Sequence, residues 1–294
     1  TNNTDFTITS GNDIVFALGA AGSVYHTGDG GSVNTIYGYQ AGIALASGGN
    51  NNVLLGNIAG TALSTGGDNV AIGYQAMRRA TTAADENIAI GRDSMGGAWG
   101  AADVNGCVAI GYDTLSGTLT SDASGTIAIG IQSGKAITSG IANTVIGYQA
   151  ANDLTTGGYN TVLGYQALDR ATTAALRNVA IGHQAMHGNF TNAAVTDCVA
   201  IGVNALEATL TSVASGNVAI GKSSQAAITS GGRNTSLGFE TLSTATALSH
   251  NVAIGWQTMK DSSATTSHRN IGIGSFVMDS IGANVANDNV AIGY

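Results

Sequence analysis

The sequence predicts an all-β fold, a parallel β-solenoid of about 16 coils of 17–20 residues. Three observations carry this reading. A motif Asn-Val-Ala-Ile-Gly, often followed by Tyr-Gln-Ala, recurs along nearly the whole 294-residue chain. Its copies lie 17 to 20 residues apart, the length of one winding rather than of a domain. Within each copy, branched aliphatic and small residues alternate with period two, as in a strand.

The clearest copies occupy residues 69–77, 143–150, 178–186 and 251–259. From Gly73 the spacings run 18, 20, 19, 17, 17, and from Gly164 the same series begins again. Five coils thus form a 91-residue super-repeat, 73–163 and 164–254. Residues 79–84 read the same as 170–175, and Cys107 and Cys198 are one position in two blocks. A duplication accounts for both cysteines without redox pairing. Five coils apart, at about 4.8 Å per coil, they sit roughly 24 Å from each other, beyond disulfide reach.

Each motif strand has one face of branched aliphatics and one of Ala. The aliphatics Val70, Ile72, Ile88 and Ile90 are expected to line a continuous core as successive coils stack. The Ala face (Ala71, Ala89, Ala109, Ala128, Ala180) is expected outside. There it is small enough for three chains to pack side by side as a homotrimer. The rest of each coil reads as a second, looser extended segment, as at residues 63–66, 137–140, 154–157 and 228–231. Its apolar residue points inward and its Thr or Ser outward. The lack of proline agrees with strands that all need their amide donors.

The turn residues form a structural ladder. Asn69, Asn87, Asn143, Asn160, Asn178, Asn217 and Asn251 each open a motif and are expected to hydrogen-bond their own turn and the Asn above. Gly73, Gly91, Gly147, Gly164, Gly182 and Gly255 close it, supplying positive φ or a close backbone approach. They form no phosphate loop, since no Lys follows at the required spacing and no helix begins there. Residues 30–294 make up the solenoid. Residues 1–29, holding a degenerate coil at 16–19, read as an N-terminal cap or linker. The last copy stops at Tyr294, and the chain is expected to continue.

Composition removes several classes of function. Charged residues are only 10% and hydrophobic ones 44%, unlike a disordered chain. A net charge of −8 argues against nucleic acid and anionic membranes as partners. The apolar stretch at 14–24 is too short to cross a bilayer, so no direct membrane insertion is expected. No enzyme, metal or cofactor is expected. His183 and His187 lie on a turn without a third ligand, and acids such as Asp85, Glu86, Asp122 and Asp153 keep the rod soluble.

The motif run, with a small residue three positions after the Gly (Ala76, Ser94, Ala185), resembles the head repeats of trimeric autotransporter adhesins. Its Asn-Thr-Val-Ile-Gly-Tyr-Gln-Ala version is similar to bacteriophage tail-fibre shafts, which match more closely in wording and coil length. The resemblance spans about residues 16–294. It implies a left-handed β-roll, a homotrimer, and an extracellular location on a virion tail or cell surface. It further implies a fibrous shaft that mediates attachment to a host or surface.

One position carries most of the chemistry that could contact a partner. Tyr39, Tyr74, Tyr112, Tyr148, Tyr165, Phe239 and Trp256 directly follow a motif Gly. Such a stripe could stack on sugar rings of a host glycan or receptor. Alternatively the rings cover the coil edge or pack between protomers. The Gln residues that follow them (Gln40, Gln75, Gln149, Gln166, Gln184, Gln257) are expected to cap the turn. Thr and Ser rows (Thr120, Ser139, Thr156, Thr173) allow an alternative function, ice binding. A self-assembling extracellular filament is a further alternative.

Overall fold

The computed structural model describes residues 34–80, 84–99, 103–171, 175–190, 194–211, 214–262, 267–279 and 287–294. The cap at 1–29, its degenerate coil and Thr173 lie outside them. Fifteen three-residue strands, from Thr35–Tyr37 to Val290–Ile292, form one sheet in strict chain order. Every pairing is parallel and in register. Val70, Ala71 and Ile72 lie beside Ile88, Ala89 and Ile90, which lie beside Val108, Ala109 and Ile110. The chain is therefore a parallel β-solenoid. The helical element described is a 3-10 turn at Ser121–Ala123, and Ala214 takes the same conformation at the equivalent position of the second block.

The two faces of the strand are the reverse of the expectation. Ala71, Ala89, Ala109, Ala128 and Ala180 are fully buried inside the coil. Val70, Ile72, Ile88 and Ile90 flank them on the outside, only partly covered. The aliphatics do not line the core, and the Ala face is not available for packing between chains.

The physical reason is the narrowness of the winding. The inner strand residue faces the fourth residue after the motif Gly, and in several coils their volumes compensate. Ala71, Ala89 and Ala180 meet coils carrying Met77, Met95 and Met186, all fully buried. Where the strand places Leu54 inside, the facing residue is Gly60, and a Cβ there would sit 2.8 Å from a Leu54 methyl. Where the strand has Gly272, Met259 reaches across to 3.2 Å from the missing Cβ. Where both members of the pair are small, as at Ala128 and Gly134, Ile137 fills the space, 2.9 Å from the missing Cβ of Gly134.

The motif glycines carry both constraints expected of them. Gly164 has φ +145, and a Cβ on it would lie 2.3 Å from the carbonyl oxygen of Gly182. Only glycine lets the chain turn out of the strand while the next coil's carbonyl packs against it.

The remainder of the coil departs from expectation in form but not in polarity. It is a run of turns rather than a second strand. Backbone bonds still join neighbouring coils, as where Thr120 N–H donates to Thr138 O and Thr138 N–H to Thr155 O. Leu63, Ile137, Leu154 and Ile228 do point inward and are fully buried. With the Met and Leu residues of the turn they complete a single core running through all coils.

Candidate functional site

Stacking at one rung per coil converts each motif position into a column along the rod. The asparagine column is interior. Asn69 donates from its backbone N–H and its Nδ2 to Oδ1 of Asn52, each at 3.0 Å, and Nδ2 also donates to Ala84 O at 2.6 Å. Asn87 repeats this onto Asn69, Asn160 onto Asn143, Asn178 onto Asn160, and Asn251 onto Asn234. Asn217 sits in the same column, donating to Gly231 O. Being buried and paired, these residues serve the fold.

The ladder is interrupted at Cys107 and Cys198. Each backbone N–H still bonds the Asn of the preceding coil, while the thiol donates to a carbonyl, Ala123 O at 3.3 Å or Ala214 O at 3.5 Å. Both cysteines are free and buried. Burial pushes both thiols up, Cys198 to about 11.

The column after the motif Gly is exterior. Tyr39, Tyr74, Tyr112, Tyr148, Tyr165, Phe239 and Trp256 are all exposed. Tyr148 stacks on Tyr165 at 5.3 Å between ring centroids, and Tyr165 on His183 at 5.0 Å. Cations fill other rungs. Arg92 lies 5.9 Å from the Tyr74 ring and 5.4 Å from Tyr112, and Lys222 lies 5.5 Å from Phe239. The column is thus a row of rings with cations at some rungs, interrupted at Asn57, Ile131, Val203 and Ser275, a composition that motif-by-motif reading missed. The signal was present in the sequence, since Arg92, His183 and Lys222 occupy the same position as the tyrosines.

The next column joins coil to coil rather than capping a turn. Gln184 donates to Gln166, Gln166 to Gln149 and Gln149 to Gln132 through side-chain amides at 2.9–3.2 Å. The series ends with Gln132 donating to Asp113 at 3.3 Å. Burial works against the Asp113 charge, but bonds from Lys135 and Gln132 hold its carboxyl below the usual range. Gln75 instead donates to the Tyr74 hydroxyl at 3.1 Å, and Gln257 to Glu240 at 2.8 Å.

A buried pair escaped the sequence reading. Asp169 and His187 are successive in the column five residues after the motif Gly, with Oδ2 and Nε2 3.8 Å apart. Asp169 Oδ1, His187 Nε2 and Asn152 Oδ1 have no hydrogen-bond partner. Burial, reinforced by Asp153, raises the Asp169 carboxyl to about 6. Burial and then Arg170 lower the His187 imidazole. Among the described residues no three His, Cys, Asp or Glu side chains are gathered to hold a metal ion. Among them, too, no helix is long and apolar enough to cross a membrane.

The hydroxyl rows are partly tied into the rod. Thr120 Oγ1 donates to Thr138 O and Thr138 Oγ1 to Thr155 O.

No protein-family model, no curated protein and no solved structure matches the chain.

Proposed function

We propose that the chain is a fibrous structural protein, the shaft of a viral tail fibre or surface adhesin. In this reading it works outside the cell as a side-by-side homotrimer that mediates attachment. The single observation that supports it most is the outward strand face. Val70, Ile72, Ile88 and Ile90 belong to two largely apolar columns that continue through Val108, Ile110, Val199 and Ile201, one of them interrupted by Thr144, Thr161 and Thr235. Fifteen rungs at about 4.8 Å span roughly 67 Å, and two columns of this length offer on the order of 700 Å². A monomer in water rarely exposes so large a contiguous apolar patch, whereas a standard interface covers about 800 Å² per partner.

The occupant that fits this face is a second and a third copy of the chain. A repeating surface with one rung per coil is best matched by another surface of the same period, and closure about an axis leaves no copy unpaired. The Ala columns do not take part, because they fill the coil interior. The aromatic and cationic column runs along the rim and supplies the contacts for a host glycan or receptor.

Sedimentation and native mass spectrometry test the assembly. The expected particle has three times the 29.2 kDa chain mass. Ile110→Lys together with Ile201→Lys should release monomers that keep their β spectrum, because both side chains are outside the coil. A wild-type chain that sediments as a monomer overturns the trimer. Ice binding would need hydroxyl rows free to meet the lattice, and some of these hydroxyls are committed to carbonyls. An absence of thermal hysteresis is the expected result.

A further inference from the structure

An open groove of ≈ 490 Å³ runs beside the aromatic column between the coils of Gly73 and Gly130. Gln75, Asp93 and Asp113 line it together with Arg78, Arg79 and Lys135. Its cause is legible in the column five residues after the motif Gly. That column reads Arg78, Gly96, Ser116, Lys135, so two small residues leave space between two cations. Arg78 and Lys135 are three rungs apart, roughly 14 Å.

The groove's charges are not balanced internally. Asp93 is engaged by Arg92 at 3.3 Å and Asp113 by Lys135 at 2.8 Å. Among the described residues Arg78 bonds only neutral groups, donating to Gln75 Oε1 at 2.8 Å and to Gly96 O at 3.2 Å. Arg79 is exposed at the groove's end. The cationic end thus lies on a chain whose net charge is −8. A ligand drawn here must offer anions to guanidinium groups and hydroxyl donors to Asp93, Asp113 and Gln75. Polyphosphates offer no such donors.

The duplicated block supplies an internal contrast. At the positions 91 residues on, Arg78 becomes Asp169, Gly96 becomes His187, Ser116 becomes Glu207 and Lys135 becomes Ala226. There the space is taken by a buried imidazole and both cations of that column are gone, while Arg170 keeps the place of Arg79. The two blocks share a fold but not this surface chemistry.

We propose that the groove binds an acidic oligosaccharide of three or four carboxylate-bearing sugar rings, held by Arg78 and Arg79 at one end and Lys135 at the other. The proposal rests on the attachment reading above and names its ligand class. The rim of Tyr74, Arg92 and Tyr112 offers ring faces beside the charged floor, the combination expected of a saccharide subsite.

Calorimetry on the full chain with tetragalacturonate and its methyl ester tests it, since the two differ only in charge. The acid should bind at least tenfold more tightly than the ester, and added salt should weaken it. Arg78→Gln with Arg79→Gln should weaken acid binding tenfold or more. Arg170→Gln, the counterpart of Arg79 in the second block, should leave it unchanged. Gly96→His should abolish binding, its fold checked by circular dichroism. Acid binding that survives the double arginine change overturns the groove. Equal binding of acid and ester, lost in Tyr148→Ala with Tyr165→Ala, overturns the groove but leaves the aromatic column as a glycan contact. If neither sugar binds, both are overturned.

Discussion

Asn69 directs its backbone N–H and its side-chain Nδ2 to the same Oδ1 atom of Asn52, each at 3.0 Å. One side chain per coil therefore satisfies its own amide, the next coil's backbone and a neighbouring carbonyl, all out of contact with water. Buried polar groups must be paired, and a stacked ladder pairs them at every rung without any other partner.

Replacing a middle rung should accordingly cost more than a single contact. In Asn160→Ala, the backbone N–H and Nδ2 of Asn178 lose their acceptor, and Ala175 O loses a donor 2.7 Å away. Unsatisfied buried groups cost about 1–3 kcal/mol each, so a loss of ~3 kcal/mol is expected in denaturant unfolding. Asn51→Ala, at an exposed residue whose side chain bonds Asp68 in an exposed pair, should lose only about 1 kcal/mol, chiefly because alanine is less at ease than asparagine at φ +58.

Glycines should separate by what lies against them. Gly164→Ala adds a methyl 2.3 Å from a backbone oxygen at φ +145, a conformation that alanine does not hold. The coil must open there, and a loss of several kcal/mol or failure to fold is expected. Gly125 has φ +71 with no atom within 4 Å of its missing Cβ. Gly125→Ala should cost only about 1 kcal/mol, and Gly125→Asn less. Melting curves of the two alanine variants that coincide would contradict this assignment of the motif glycine.

These differences mark how far the sequence could be read. The winding, its period and the parallel register follow from Gly73, Gly91 and their successors, because a fixed spacing of turn residues leaves the strand no other neighbour. Which face of the strand is inner does not follow from alternation, which has no sign. The rule that larger apolar residues lie inside failed at Val70 and Ile72. It ignores how narrow the winding is: the Ala71 position already shares the interior with Met77. A better signal was available in the exchange of volume between the strand and the turn, Ala71 with Met77 against Leu54 with Gly60. That exchange makes sense only if those two positions meet. The aromatic site was legible as a column of tyrosines. Its cations and the Asp169–His187 pair were not, because they arise only when successive coils are placed in register.

The two cysteines should be inert until the rod opens. Burial raises both thiols, so at pH 8 almost no thiolate forms in the folded chain. Aromatic disulfide reagents should label neither Cys107 nor Cys198 in native protein, and both in denaturant. The raised value also sets a stability window. The contribution of Cys198 is complete below its unfolded value near 8.5 and is lost as pH rises through about 11. Cys198→Ser keeps a donor for Ala214 O and should remove most of that thiol-linked decline.

Asp169 should make the second block sensitive to pH in the opposite region of the scale. Its folded value of about 6 lies above the ordinary 3.8, so the fold favours the neutral acid. Stability from this group is therefore complete below about pH 4 and is lost as pH rises through 6. Above pH 7 the chain carries a buried carboxylate facing Asp153 as well as Arg170, with Oδ1 unpartnered. Asn at this position has no charge to bury, and its amide can donate toward His187 Nε2, which lacks a partner. Asp169→Asn should thus melt several degrees above wild type at pH 7.5, a gain on the order of 2 kcal/mol, and match it near pH 4. His187 is held neutral across the upper part of this range, since burial lowers its imidazole, and so does not cancel the effect. A gain of equal size at both pH values would mean that packing, and not the buried charge, is what the substitution relieves.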